Sequence, residues 1–109
     1  MSTIAQTVAS LNDARNLALA DAGHYPEIVK GVLPLIGPNA PLELRRWGSE
    51  FLAEMFASPI MQVEEKERLG VLVLDLFRNL LELSGEDVTV VKNIVQASAS
   101  IYPLVFYHM

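Results

Sequence analysis

The chain has 109 residues, of which 51% are hydrophobic and 19% charged, with no cysteine and a formal net charge of −5. That length sets one domain with room for a real core. The missing cysteine removes disulfides and thiolate metal ligands, and the acidic balance repels a phosphate backbone at long range. Mean hydropathy is +0.31, yet no run reaches the ~18 uninterrupted apolar residues of a membrane span. The longest candidate, residues 69–83, is interrupted by Asp75, Arg78 and Glu82. Such content predicts helices packed on more than one side. The first residues lack the basic and apolar regions of a secretory signal, and no basic cluster suggests a nuclear import signal.

Five helices are predicted in chain order. The first spans about Thr3 to Ala20, with Ile4, Val8 and Leu11 on one face, and Gly23 is expected to end it, because glycine takes the left-handed cap conformation without a side-chain clash. The second spans about Pro26 to Ile36, with Ile28, Val32 and Leu35 sharing one side. Pro34 inside it predicts a kink or an early stop. After the rigid turn of residues 37–41, Pro41 opens a third helix that runs to about Phe56. Its apolar stripe is Leu44, Trp47, Phe51 and Met55, broadened by Gly48 and Leu52. Glu43, Arg46, Glu50 and Glu54 form the opposite, solvated stripe with charge pairs along the helix.

Ser58-Pro59 breaks the chain before a fourth helix over about Val63 to Leu83. Glu64, Glu65 and Glu67 crowd its first turns, where negative charge suits the helix dipole. Its centre, residues 69–74, is apolar nearly all round, which predicts a helix sandwiched between neighbours, with a polar line of Arg68, Asp75, Asn79 and Glu82. Gly85 can cap it. The fifth helix runs from about Asp87 to Tyr107 with Pro103 inside. One stripe is Val91, Val95, Ser98 and Tyr102, and another is Ile94, Ala97, Ile101 and Val105. Asn93, Gln96 and Ser100 form its polar side. The second, third and fourth helices are expected to stack as successive antiparallel layers, with Trp47, Phe51, Leu72 and Leu76 buried between them.

Residues able to carry chemistry are sparse. His24 and His108 are the two histidines, each alone near a helix end, so a zinc or di-iron site has no ligand set. No phosphate-binding loop follows Gly31 or Gly37, and no serine sits in a nucleophile elbow. No catalytic, cofactor-binding or metal-ligating residue is assigned, and the chain is expected to be no enzyme. The run of residues 64–68 reads as a solvated helix start, with an acidic partner-binding patch as the sharper alternative. Arg45-Arg46 is the one dibasic pair. Without flanking lysines or exposed aromatics it is a weak nucleic-acid signal, and bonding of Arg45 to neighbouring turns is the simpler reading. Trp47, on the apolar stripe, is expected in the core rather than in recognition.

The third and fifth helices look like one helix written twice. Leu44-Arg45-Arg46-Trp47-Gly48 recurs 47 residues later as Val91-Lys92-Asn93-Ile94-Val95, with Pro41 aligned on Val88 and Leu52 on Ala99. An offset of about 40–47 residues with a helix between the copies is the signature of HEAT-type repeats, which stack into interaction surfaces. The expected fold is therefore all-α, a HEAT-like right-handed stack of about five antiparallel helices, forming one domain over residues 1–109.

Residues 41–54, Pro-Leu-Glu-Leu-Arg-Arg-Trp-Gly-Ser-Glu-Phe-Leu-Ala-Glu, resemble the "ELRRWxAEFLEE" helix near the amino terminus of symplekin and its fungal counterparts. Residues 90–104, ending in Tyr102-Pro103-Leu104, resemble the "VVKxxIxxxxxLYxxx" helix that follows in that family, whose fungal form often has the same ending. The resemblance implies a nuclear, non-catalytic scaffold of the pre-mRNA 3′-end cleavage and polyadenylation complex. It also implies an amino-terminal HEAT region that docks a phosphatase of the polymerase II C-terminal domain. The family's region continues with further helix pairs, so the chain is expected to be an amino-terminal piece of a longer one.

The expected partners are other proteins of that complex, with no direct nucleic acid, no membrane and no cofactor. A helical bundle that binds a small apolar ligand or another helix, unrelated to RNA processing, is the alternative; a large closed cavity would favour it. The fifth helix has two apolar stripes and no sixth helix to cover the second. Val91, Val95, Tyr102, Phe106 and Tyr107 are therefore the candidate partner-binding residues. A second copy of the chain, docked symmetrically or by exchange of that helix, is the expected cover, since domain swapping is a low-cost route to dimers.

Overall fold

The protein is described by a computed structural model that covers residues 3–20, 25–58, 63–82 and 85–106. Among these residues are five α-helices and no strand: α1 (Ile4–Ala20), α2 (Tyr25–Val32), α3 (Leu42–Ala57), α4 (Val63–Leu81) and α5 (Val88–Phe106), with a 3₁₀ turn (Leu33–Leu35) after α2. The all-α expectation holds. Gly23, His24, Pro59 and His108 lie outside the described residues.

Local chemistry sets where the elements begin and end. Thr3 and Gln6 form a reciprocal capping box: the Gln6 backbone N–H donates to Thr3 Oγ1 (3.1 Å) and the Thr3 N–H donates to Gln6 Oε1 (2.9 Å). This satisfies two N–H groups that the first turn of α1 would otherwise leave without partners. Pro34 lacks the N–H that an α-helix needs, so α2 stops at Val32 and the chain tightens into a 3₁₀ turn. The change from 3.6 to 3.0 residues per turn rotates the buried face. Val29, Val32 and Ile36 are buried, Ile28 is only partly so, and Leu35 is 42% exposed. The expected Ile28–Val32–Leu35 face is corrected accordingly.

The helices form two hairpins. α2 with its 3₁₀ turn precedes α3, and α4 precedes α5 through residues 82–87. α3 lies on α5, α2 touches α4, and α1 packs on α2 and α3. The bonds between α3 and α5 advance along both helices together, from Arg46–Asp87 to Asn93–Ser49, so the two run parallel. Parallel helices separated by an antiparallel partner are the arrangement of stacked helical repeats. The expected order of layers is corrected: α5, not α4, covers α3. Principal extents of 41 × 34 × 18 Å describe a slab.

The core runs through both hairpins, with Phe51, Phe56, Phe77, Leu80, Ile94 and Ile101 almost wholly buried. Phe51 is buried as expected and Leu76 is partly buried, but Leu72 is 50% exposed. Trp47 is half-buried at the α1 side. It stacks on Phe51 with ring centroids 5.1 Å apart, and its Nε1–H donates to Asn12 Oδ1 at 2.8 Å. Arg15 of α1 grips Glu54 of α3 beside it, with Nε donating to Oε2 at 2.9 Å and Nη2 to Oε1 at 2.8 Å. The expected solvated stripe of α3 therefore makes its ion pairs across helices.

Asn93, expected on the polar side of α5, is only 9% exposed and faces α3, where its Nδ2 donates to Ser49 Oγ at 3.2 Å. Ser49, 1% exposed, donates in turn to the Arg46 carbonyl. A buried amide is tolerated because it is bonded.

The repeat register also shifts. Four of the seven buried residues of α3 fall on buried residues of α5 at an offset of 46: Leu44 with Val90, Gly48 with Ile94, Phe51 with Ala97 and Met55 with Ile101. At the offset of 47 read from residue types none of the seven does, and buried Gly48 and Leu52 would match Val95 and Ala99, which are exposed. One residue is about 100° around a helix, enough to move a side chain from core to solvent.

Two arginine clamps fasten α3 to the start of α5. Arg45 Nε and Nη2 donate to Glu86 Oε2 and Oε1 at 3.1 and 3.2 Å, and its Nη1 donates to the Ala40 carbonyl at 2.6 Å. Arg46 Nε and Nη2 donate to Asp87 Oδ1 and Oδ2 at 3.1 and 2.7 Å. Asp87 is also the N-cap of α5, accepting from the Thr89 and Val90 N–H groups at 3.0 and 3.3 Å. The Arg46 hydrogen bond, with help from these N–H groups, pulls the Asp87 carboxyl down from 3.8 to about 2.

A depressed acid contributes stability that is present above its unfolded pKa and lost as pH falls through its folded one. In denaturant melts, Asp87→Asn is expected to lower stability near neutral pH. The gap to the parent chain should narrow between about pH 4 and about pH 2. A gap that stays constant down to the acid end would show that Asp87 gains nothing from its charge.

Candidate partner-binding surface

α4 and α5 leave an open groove of about 670 Å³ between them. Its floor is Phe77 and Ile94, both 2% exposed, and its walls include Val71, Leu72 and Leu81 of α4 with Ser98 and Tyr102 of α5. Val71, Leu72 and Leu81 are 58, 50 and 49% exposed. The all-round apolar centre of α4 is thus not sandwiched: Leu69, Val73, Phe77 and Leu80 face the core, and Val71 and Leu72 face outward. Apolar side chains gathered in one surface depression mark interaction sites more often than scattered ones do.

The rim is charged. Asp75 and Arg78 form an i,i+3 pair at 2.7 Å, and Glu82 stands further along α4. Glu65 and Arg68 make a similar pair nearer the start of α4. On α5, Lys92 is exposed and makes no ion pair among the described residues.

Of the candidate residues, Val95 is 62% exposed and Tyr102 46%, while Val91 is half-buried. The Tyr107 position and the Phe106 side chain lie outside the described residues. Tyr102 lines the groove, and Val95 lies on the adjoining outer face of α5. The α4 contribution of Val71, Leu72 and Leu81 was missed. Its signal was present, since residues 69–74 are more apolar than one buried face requires.

The arrangement offers apolar area with a few charges. Among the described residues no group of three or more His, Asp or Glu side chains could hold a metal ion. Among the same residues no helix is long and apolar enough to cross a membrane. The dibasic pair is engaged by Glu86 and Asp87: Arg45 is mostly covered, and Arg46, about half-exposed, has its charge offset by Asp87. The groove is open to solvent, whereas the small-ligand alternative is favoured by a closed cavity.

No known family profile matches the chain, and no solved structure matches it. Over 98 residues, 90% of the chain, it is 34% identical to the "mRNA cleavage and polyadenylation specificity factor complex subunit pta1" of Schizosaccharomyces pombe. The chain spans 14% of the length of that subunit. Along nearly all of its own length the chain is therefore similar to one stretch of a cleavage and polyadenylation factor subunit, in agreement with the resemblance read from its sequence.

Proposed function

We propose that this chain is a non-catalytic, protein-binding scaffold element of the nuclear machinery that cleaves and polyadenylates pre-mRNA 3′ ends. The observation that carries the reading is its 34% identity to a subunit named for that complex. The stacked hairpins and the apolar groove support it, since such stacks work as extended binding surfaces. Its partners are other proteins of the complex, and a phosphatase of the polymerase II C-terminal domain is the finer candidate that the symplekin resemblance brings. The candidate contact residues are Val95 and Tyr102 of α5, with Val91 in its first turn, and the sequence adds Phe106 and Tyr107.

The test is purification of the full-length protein from its own cells, with identification of the bound proteins and sequencing of transcript 3′ ends after depletion. The expected result is recovery of cleavage and polyadenylation subunits, with transcripts that read past their normal ends. Recovery of none of them, with unchanged 3′ ends, overturns the reading.

A further inference from the structure

The seam between α3 and α5 holds a second groove, of about 420 Å³, lined by Glu50, Ala53, Glu54 and Ala57 of α3 and by Asn93 and Gln96 of α5. Ala53 and Ala57 each stand two residues from buried Met55, and Gln96 stands two from buried Ile94. Two residues are about 200° round a helix, so the groove opens on the side away from the core. A further hairpin of the stack would add beside α5, against the face around Val95, and would leave this seam open.

The polar groups of the groove are not spent on the fold. Asn93 is 9% exposed, and its Nδ2 donates to Ser49 Oγ at 3.2 Å. Its Oδ1 accepts no hydrogen bond among the described residues. None of their side-chain polar atoms is both sealed from water and unbonded, so this oxygen reaches solvent through the groove that Asn93 lines. Gln96, one turn on, is exposed and makes no hydrogen bond among the described residues. Each amide can both donate to a peptide unit and accept from one. Glu54 gives both oxygens to Arg15. Glu50 has no ion pair or hydrogen bond among the described residues, and no basic side chain among them lines the groove.

We propose that this seam binds an extended segment of a separate protein that carries a Lys or Arg. The backbone of the segment bonds to the Asn93 and Gln96 amides over the small Ala53 and Ala57 side chains, and its cation pairs with Glu50. A helix would not serve, because its backbone groups are bonded within it, whereas an extended segment keeps them free. The cation does not come from a second copy of these residues: all 8 Lys and Arg lie within the helices. A net charge of −5 favours a basic partner. The inference goes beyond the scaffold reading, since it concerns this groove whichever complex the chain serves.

Selection of short random peptides on the full-length protein tests the proposal. The expected winners carry a Lys or Arg and stay non-helical when bound. Glu50→Gln should weaken them about two- to fivefold, the scale of an exposed ion pair. Glu50→Lys should weaken them further, and a winner with its cation changed to Glu should recover the loss. Gln96→Ala should weaken them about two- to tenfold, the net worth of a hydrogen bond. Ala57→Phe should block the groove. Glu50, Ala57 and Gln96 are exposed, so an unchanged circular dichroism melt checks that each variant is folded.

The proposal is overturned if no peptide is selected, if the winners lack a cation or bind as helices, or if they bind Ala57→Phe as well as the parent. It is also overturned if a photocrosslinker at Gln96 joins the full-length protein to itself or to a second copy, because the seam then has another occupant. Co-purification tests the scaffold reading and peptide selection tests the groove, so either can fail alone.

Discussion

Replacing Phe51 with alanine is expected to destabilise the chain by about 3–5 kcal/mol, the range for removing a buried aromatic ring from a packed core. Phe51 is 1% exposed on α3, and its ring stacks on Trp47 at a centroid distance of 5.1 Å and an interplanar angle of 11°. The loss has two parts, the transfer of the ring to water and the void that its neighbours cannot close. Trp47 would also lose its stacking surface, and with it part of the contact that carries the Asn12 hydrogen bond to α1. Urea melts followed by circular dichroism measure the effect. A loss under about 1 kcal/mol would mean that the site collapses freely, contrary to a close-packed interior.

Gly48→Ala is expected to be the next most damaging change, at about 1–2 kcal/mol net. In an open helix the same substitution stabilises by about 0.5–1 kcal/mol, because alanine restricts the unfolded chain and favours helix. At Gly48 a Cβ would lie 2.7 Å from Ile36 Cβ and 2.6 Å from Ile36 Cδ1, and closer still to Ile36 Cγ2. Ile36 is fully buried, so its side chain cannot swing away and the 3₁₀ turn must move. Overpacking of that kind costs about 1–3 kcal/mol, which exceeds the helix gain.

Gly31 of α2 is the control. A Cβ there meets nothing within 4 Å, so Gly31→Ala should be neutral or stabilising by about 0.5 kcal/mol. If both glycine variants shift the urea midpoint the same way, the close approach of Ile36 to α3 is not what Gly48 serves.

Helix number, order and approximate ends were legible because they depend on neighbours in sequence. Pro34 and Pro41 act on their own backbone, and the 3.6-residue spacing of Leu44, Phe51 and Met55 needs no partner to be seen. The Thr3–Gln6 capping box was equally local and could have been found, since Thr-x-x-Gln before an apolar stretch is its signature. The resemblance of residues 41–54 and 90–104 to the symplekin family was legible for a different reason: it follows residue types, not geometry. The same matching of residue types misplaced the repeat register by one residue. A cation after a branched residue looks alike in both helices, but burial is what defines equivalent positions.

By itself, then, the sequence determined an acidic, cysteine-free, all-α chain, its breaks, and a relationship to one stretch of a polyadenylation factor subunit. Only the tertiary structure decided which side of each helix meets which neighbour. A helix with two apolar stripes, such as α5, gains similar free energy from burying either one. The choice went to Ile94, Ala97 and Ile101 through constraints far off in sequence: the Arg45–Glu86 and Arg46–Asp87 clamps, and the Asn93–Ser49 bond 44 residues apart. The same choice turned Val95 and Tyr102 outward and, with Val71 and Leu72 of α4, made the groove. Helix formation is fixed within a few turns, whereas facing is fixed by pairs of residues that meet only when the hairpins stack.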